Sequence, residues 1–393
     1  MKRIFVLSLA ILLLITLISG GCAKPAPAPT PAPAGKEWVP PVPGMKQGEE
    51  DKYFVWTWAS PSSRTAPPAP FKRTREEYFW DELEKRTGGR FKVKYAYGGI
   101  LGSGWETPQL VGAGVCELGG TPPEWHISDF PALTMSCNWG WHTGRLDRDG
   151  FALDVKLNES IYTHPLAEAN LAKMNLVFAY TNGGQTWKLP VRKGVKEIEK
   201  AEDLAGLNCW AVGYPAIWAK ALGMTPVSVL PSEFYESMQK GMIDVNPWMV
   251  AEVVRFKMDE VCDRVVDVTL GSSCFCGYAN KEEWDGLPQY IKDLWWELYP
   301  EYYFQYYIDL SMAELQEFFE VCEKKGIRIY KLPPEEEAKV REPMKLMWEP
   351  WIVDCEKLPA GQGIREFLKD QIAYRDKLIG GHWDWCDEIL GLK

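Results

Sequence analysis

The residues with the most to say about chemistry in this 393-residue chain are aromatic and not ionisable. In DLAGLNCWAVG (203–213) a charged run breaks at Gly206, and Leu207–Val212 is short, apolar and strand-like before Gly213. A strand leaving an α/β sheet at a glycine presents its last residues to a ligand cleft. The residue so presented is Trp210. An indole has one donor and no charge, so it suits stacking or a cation–π contact and not a salt bridge. Trp248 follows the next strand-like run, just past Asn246-Pro247, and Trp58 and Trp125 also follow strands or glycines. Asn246 and Gln185 could orient a polar group. Each tryptophan also suits a core, where an inward strand position would place it. This chemistry is binding and not turnover. No G-x-S-x-G occurs, and Gly98-Gly99 before Leu101-Gly102 is not a dinucleotide fingerprint. The four histidines lack metal-ligand spacing, and CFC (274–276) lies in an apolar run, so neither metal nor cofactor is expected.

The elements that must position these residues alternate. Tyr53–Trp58 reads as a strand, and Thr74 caps a helix through Lys85. Phe91–Tyr97 is a second strand and Val115–Leu118 a third, each leaving at paired glycines. The grammar restarts with strands at Asn175–Tyr180, Leu207–Val212, Pro226–Leu230 and Met242–Val245, and with helices between them, one capped by Ser232. Two βαβ clusters predict two lobes that close on a ligand. After Pro288 the chain turns helical. Pro300 must interrupt the pattern, and Glu301–Lys325 could run about 37 Å, long enough to brace both lobes.

The ends have other jobs. Lys2 and Arg3 precede an apolar run and then Ser19-Gly20-Gly21-Cys22, which reads as a secretory signal whose cysteine resembles a lipobox. Residues 1–22 are expected to be this signal, with Cys22 lipidated. Residues 23–51 form a Pro/Ala-rich linker, extended because alternating proline builds no core. A net charge of −10 and no basic stripe exclude a nucleic-acid partner. Nine cysteines beyond Cys22 follow no disulfide framework, and several sit in apolar runs as buried thiols do.

The motif order resembles that of the solute receptors of TRAP (tripartite ATP-independent periplasmic) transporters, DctP type. GGRFKVKYAYGGILGSGWE (88–106), AEDLAGLNCWAVG, ALGMTPVSVLPSEFYESMQKGMIDV (221–245), DRVVDVTL, GYANKEEWDGLPQYIKDL (277–294) and KKGIRIYKLPPEEEAKVRE (324–342) follow in family order over nearly the whole body. The resemblance implies an α/β, two-lobed periplasmic-binding-protein-like (type II) fold with a long helix spanning both lobes. Lobe I would comprise 52–170 plus about 264–282, and lobe II about 171–263 plus 283–393. It also implies a receptor outside the cytoplasm that binds a small-molecule solute, passes it to membrane permease subunits and makes or breaks no bond; with Cys22 lipidated, the receptor would be lipid-anchored. The family usually places arginine where Trp210 stands, to grip a carboxylate with two parallel hydrogen bonds. Its replacement points to a neutral, cationic or aromatic ligand, or to an acid held elsewhere. The alternatives are a sensor, a receptor for another transporter class, or an extracellular carbohydrate-active enzyme that stacks sugars on tryptophan.

Overall fold

A computed structural model describes residues 40–64 and 66–381, without the side chains of 182–185 and 272–273. The first strand, β1 (Phe54–Ala59), buries alternate residues and pairs in parallel with both β2 (Phe91–Ala96) and β3 (Leu118–Thr121). Between β1 and β2 lies α1 (Arg75–Arg86). Thr74 accepts from the Glu77 amide while the Glu77 carboxylate accepts from the Thr74 amide, so two orphan donors at the helix start are satisfied. Between β2 and β3 lies α2 (Thr107–Gly112). After β3 come α3 (Arg148–Tyr162) and α4 (Pro165–Ala172), two helices the sequence reading passed over.

The 17-residue β4 (Leu176–Arg192) is longer than the expected strand at 175–180. Its first part pairs antiparallel with β9 (Ser272–Asn280), and its last part with β8 (Cys262–Val266). One sheet thus carries the order β10-β8-β4-β9-β3-β1-β2, where β10 is Arg328–Tyr330. Between β4 and β8 stand β5 (Asn208–Trp210), α5 (Pro215–Ala221), β6 (Thr225–Val227), α6 (Phe234–Gln239), β7 (Trp248–Met249) and α7 (Glu252–Arg255). The strand expected at 242–245 is reduced to bridges from Val245 to Val191 and Cys209, and α6 has no side-chain cap from Ser232.

After β9 come α8 (Lys281–Gly286), α9 (Gln289–Leu298) and α10 (Tyr306–Lys325). Pro300 cannot donate to the turn before it, and the chain between α9 and α10 widens to a π-helix over Tyr299–Gln305. Gly326, left-handed at φ 69°, ends α10. At 20 residues this helix runs about 30 Å and touches α1, α3, α7 and β10. The chain then folds α11 (Pro334–Arg341), α12 (Trp348–Glu356) and α13 (Ile364–Ile379).

Two hydrophobic cores result. One holds Phe130, Trp141, Leu157, Phe178, Trp351 and Phe367, and the other Val191, Trp218, Phe234, Val265, Phe318 and Met344. Val265, Val266, Val268 and Leu270 pack in the second core, because β8 pairs with the far end of β4 and with β10. Residues of α12 and α13 pack in the first. No helix among the described residues is long and apolar enough to cross a membrane.

Candidate solute-binding cleft

A cavity of about 170 Å³ opens where β1 and β3 end, beside Tyr180 of β4, against α1, α7 and α10. Trp58, at the penultimate position of β1, donates from Nε1 to Tyr180 Oη at 2.7 Å, and both line the cavity. Tyr180 packs onto a strand surface that only glycine allows. A Cβ at Gly277 would stand 2.3 Å from its ring, and one at Gly120 would stand 2.8 Å from its hydroxyl. Phe275 of β9 lines the same cavity, whereas Cys274 and Cys276, on the opposite strand face, join the first core.

The polar side of the cavity begins with the proline-rich loop before α1. Arg64 donates from Nε and Nη2 to the two oxygens of Glu77, at 2.6 and 2.9 Å. Burial alone would raise the Glu77 pKa, but Arg64, the Thr74 amide and the Tyr97 hydroxyl outweigh it and hold the carboxylate below its usual range. This carboxylate fixes the loop to the helix, and Arg64 forms part of the cavity wall.

Arg75 occupies the first helical position of α1, where the helix dipole disfavours a cation. Its Nε donates to Glu76 at 3.0 Å, and its guanidinium lies 4.8 Å from the centre of the Tyr307 ring. Burial opposes the charge, but Glu76, Tyr303, Tyr307 and Glu314 raise the pKa above the ordinary arginine value. Tyr307, Leu310 and Glu314 sit at i, i+3 and i+7 of α10 and so present one face to the cavity.

From α7, Arg255 donates Nη1 to Glu252 at 3.0 Å and Nη2 to Glu314 at 2.9 Å. Glu252 also accepts from Trp248 Nε1 at 3.0 Å. Burial raises the Glu252 pKa although Arg255 pulls it down. Three arginines (64, 75 and 255) and three glutamates (76, 252 and 314) thus line the cavity, and their formal charges cancel.

The expected site residues are only partly brought together. Trp58 lines the cavity. Trp248 stands one residue behind it, holding Glu252. Trp210 is not among the lining residues. Its Nε1 donates to the Val229 carbonyl at 3.0 Å, and its ring meets Trp187, Phe234 and Trp248 at 5.1–5.8 Å. Asn246 is fully buried in the second core, with its amide nitrogen 3.2 Å from Met258 Sδ. Trp125 stacks on Trp105 at 4.9 Å beside Gly104, which also approaches the cavity residue Pro61. Gln185 holds its place in β4 opposite Ser273, and its side chain lies outside the described residues, as does Cys22.

The arginines and glutamates of the cavity escaped the sequence reading. One signal was available for Arg75: a cation directly after the cap Thr74 is locally unfavourable, and such a residue needs a tertiary reason.

Residues 63–353 match the family described as bacterial extracellular solute-binding protein, family 7 (DctP). A solute-binding protein of Verminephrobacter eiseniae is 26% identical over 216 residues, 53% of this chain and 61% of that protein. Three solved structures share the fold. A TRAP periplasmic solute-binding protein of Ochrobactrum anthropi gives a TM-score of 0.68 at 19% identity, covering 84% of this chain and 97% of that one. A TRAP protein of Desulfovibrio salexigens with bound orotic acid gives 0.65 at 16%, covering 83% and 99%. A Bordetella pertussis receptor that binds pyroglutamic acid gives 0.61 at 18%, covering 80% and 99%. On the extent of the family match, this chain belongs to the DctP family of bacterial extracellular solute-binding proteins.

Proposed function

We propose that this receptor captures a small acid in the cavity between its two cores and delivers it to TRAP-type permease subunits. The observation that carries the ligand class is the presence of Arg75 and Arg255 on the cavity wall, approaching from α1 and α7. The carboxylate grip that position 210 lacks is supplied by these two side chains. A carboxylate in that position exchanges with the resident glutamates, which keeps each buried charge paired.

Because the lining charges cancel, a dicarboxylate adds two negative charges to a balanced set, and a monocarboxylate with an N–H donor adds the least. Its donor can turn to Glu76 or Glu314, and its body can lie against Trp58, Tyr180 and Phe275. A cavity of about 170 Å³ limits it to a compact molecule. The related receptors bind acids of this kind, among them pyroglutamate and orotate, and one from Pseudomonas aeruginosa binds L-malate. The chain itself makes or breaks no bond. We further infer that Cys22 carries a lipid anchor, with the linker 23–51 as a tether.

The test is a thermal-shift and calorimetry panel of pyroglutamate, orotate, picolinate, malate, betaine and a polyol, with mass spectrometry of solute that co-purifies. A compact monocarboxylate should bind at least tenfold tighter than malate, and Arg75→Ala should abolish its binding. Tight betaine or polyol binding that survives Arg75→Ala overturns the ligand class and leaves the receptor role standing. For the anchor, Cys22→Ala should release the protein from membranes; a wild-type protein that is already unlipidated refutes it.

A further inference from the structure

The eight described cysteines are all unpaired, yet two of them meet across 137 positions of sequence. Cys137 ends the 3₁₀ turn Leu133–Cys137, and Cys274 lies on β9. Their sulfurs stand 4.0 Å apart. We propose that Cys137 and Cys274 form a disulfide when the protein meets a thiol oxidant. A bonded pair needs about 2.05 Å between sulfurs, so the approach required is about 2 Å, within the reach of side-chain rotation at two adjoining backbones.

The surroundings separate the two sulfurs by role. Cys274 is buried, and its sulfur meets the Tyr162 hydroxyl at 2.9 Å. Tyr162 in turn donates to Ser136 Oγ at 2.8 Å, so the hydroxyl is held against the sulfur. Cys137 is partly exposed, and its thiol donates to Glu124 Oε2 at 2.7 Å. Cys137 is therefore the sulfur an oxidant reaches first; burial, Cys274 and the Glu124 carboxylate push its pKa up, so the thiolate that reacts is a small fraction that grows with pH.

The chemistry balances with a disulfide oxidant, such as oxidised glutathione or the disulfide of an extracytoplasmic thiol oxidoreductase. The Cys137 thiolate attacks one sulfur of the oxidant, forming a mixed disulfide and expelling one thiolate. Cys274, losing its proton, then attacks Cys137 Sγ and expels the second thiolate. Two protein thiols are oxidised, one external disulfide is reduced to two thiols, and those thiols take the two protons. Outside the cytoplasm such bonds persist.

The bond would matter to the cleft because Phe275, next to Cys274, lines the cavity from the other face of β9. A cross-link there fixes β9 to the 3₁₀ turn.

The test uses the full chain incubated without denaturant in excess oxidised glutathione, then alkylated and mapped under non-reducing conditions. The expected product is a peptide pair joining Cys137 to Cys274, with the loss of two hydrogen atoms. Its melting temperature should exceed that of the reduced protein, and dithiothreitol should erase the difference. Cys137→Ser, which leaves the buried Cys274 in place, should show no such gain. Alkylation of both thiols, or a stable glutathione adduct on Cys137 alone, overturns the proposal.

Discussion

The cavity wall and the indole cluster beside it solve the burial of polarity in opposite ways. Around the cavity Arg75, Arg255, Glu252 and Glu314 answer one another charge for charge, with Arg255 36% exposed on its side chain. At the end of β5, Trp210, Trp248 and Phe234 close on one another edge to face with Trp187 tilted against both indoles, and the Trp210 N–H is spent on a backbone carbonyl. The residue type at the end of β5 therefore follows from its neighbours. An arginine at 210 would face three rings, with the Glu252 carboxylate behind Trp248 already held by Arg255, and a charge without a counter-charge is the costliest group to bury. The difference teaches that the cations of this cavity come from the loop before α1, from α1 and from α7, and not from β5.

The largest effect that can break this comparison comes from Trp210→Ala. Removing a large side chain from a packed cluster costs about 3–5 kcal/mol, which chemical denaturation should show as a lowered midpoint at unchanged slope. Solute affinity of the folded fraction should fall less than it does in Arg255→Ala. Affinity lost more steeply at Trp210 than at Arg255 would place the indole on the solute. Arg255→Ala should itself remove the guanidinium that bridges Glu252 and Glu314 and cost about 2 kcal/mol, roughly thirtyfold in Kd for the co-purified solute, read by calorimetry.

The alternating elements were legible because period and punctuation are local. The Thr74 cap, the strands at 53–58 and 91–97 and the Gly326 stop all appear where propensity puts them. Trp58 was legible for the same reason, as a strand end. The far half of β4 was not, because its pairing partners lie 60 or more positions ahead in the sequence. The cavity charges were hidden for a related reason. Arg75, Arg255 and Glu314 come from three helices, and only the tertiary fold makes them neighbours. Trp210 was read from its place in a motif, and its own contacts decide otherwise on which side chains it meets.

A third treatment of buried polarity sharpens the comparison. His142 and Asp154 lie in the interior with neither indole cover nor a paired charge. His142 Nε2 meets Asn158 Oδ1 at 3.0 Å, Asp154 accepts from the Thr143 amide at 2.7 Å, and His142 Nδ1 and Asp154 Oδ2 have no hydrogen-bond partner among the described residues. Burial, with Arg375 adding to it, depresses the His142 pKa to about 4. Burial raises Asp154 to about 7 against the pull of Thr143 and Arg375. The unfolded histidine binds its proton near 6.5, so its contribution is lost as pH falls from 6.5 toward 4. The unfolded aspartate loses its proton near 3.8, so its contribution is lost as pH rises from 3.8 toward 7. Between about 4 and 6.5 the two slopes oppose, each at most about 1.4 kcal/mol per pH unit. Asp154→Asn should leave stability rising with pH across 4.5–6.5, and His142→Gln should leave it falling. Calorimetric melting that tilts the same way in both variants would show that the two groups do not offset.

The smallest expected effect tests a hydrogen bond that joins the two regions. Trp248 belongs to the indole cluster by its ring and to the cavity by its N–H, which holds Glu252 at 3.0 Å. Trp248→Phe keeps an aromatic face against Trp210 and Phe234 and removes the donor. Glu252→Met keeps the length and removes the acceptor. Each variant also changes packing or solvation, so neither alone isolates the bond, and only the double-mutant cycle does. The net worth of such a bond is about 1 kcal/mol, and the cycle should return a coupling of that size in denaturation experiments. The same cycle read on solute affinity should show coupling of equal sign, because Glu252 and Glu314 share Arg255 and a misplaced Glu252 misplaces that guanidinium. A coupling indistinguishable from zero in both would mean that the cluster and the charges are only neighbours, and that Trp248 contributes to the cleft by filling space.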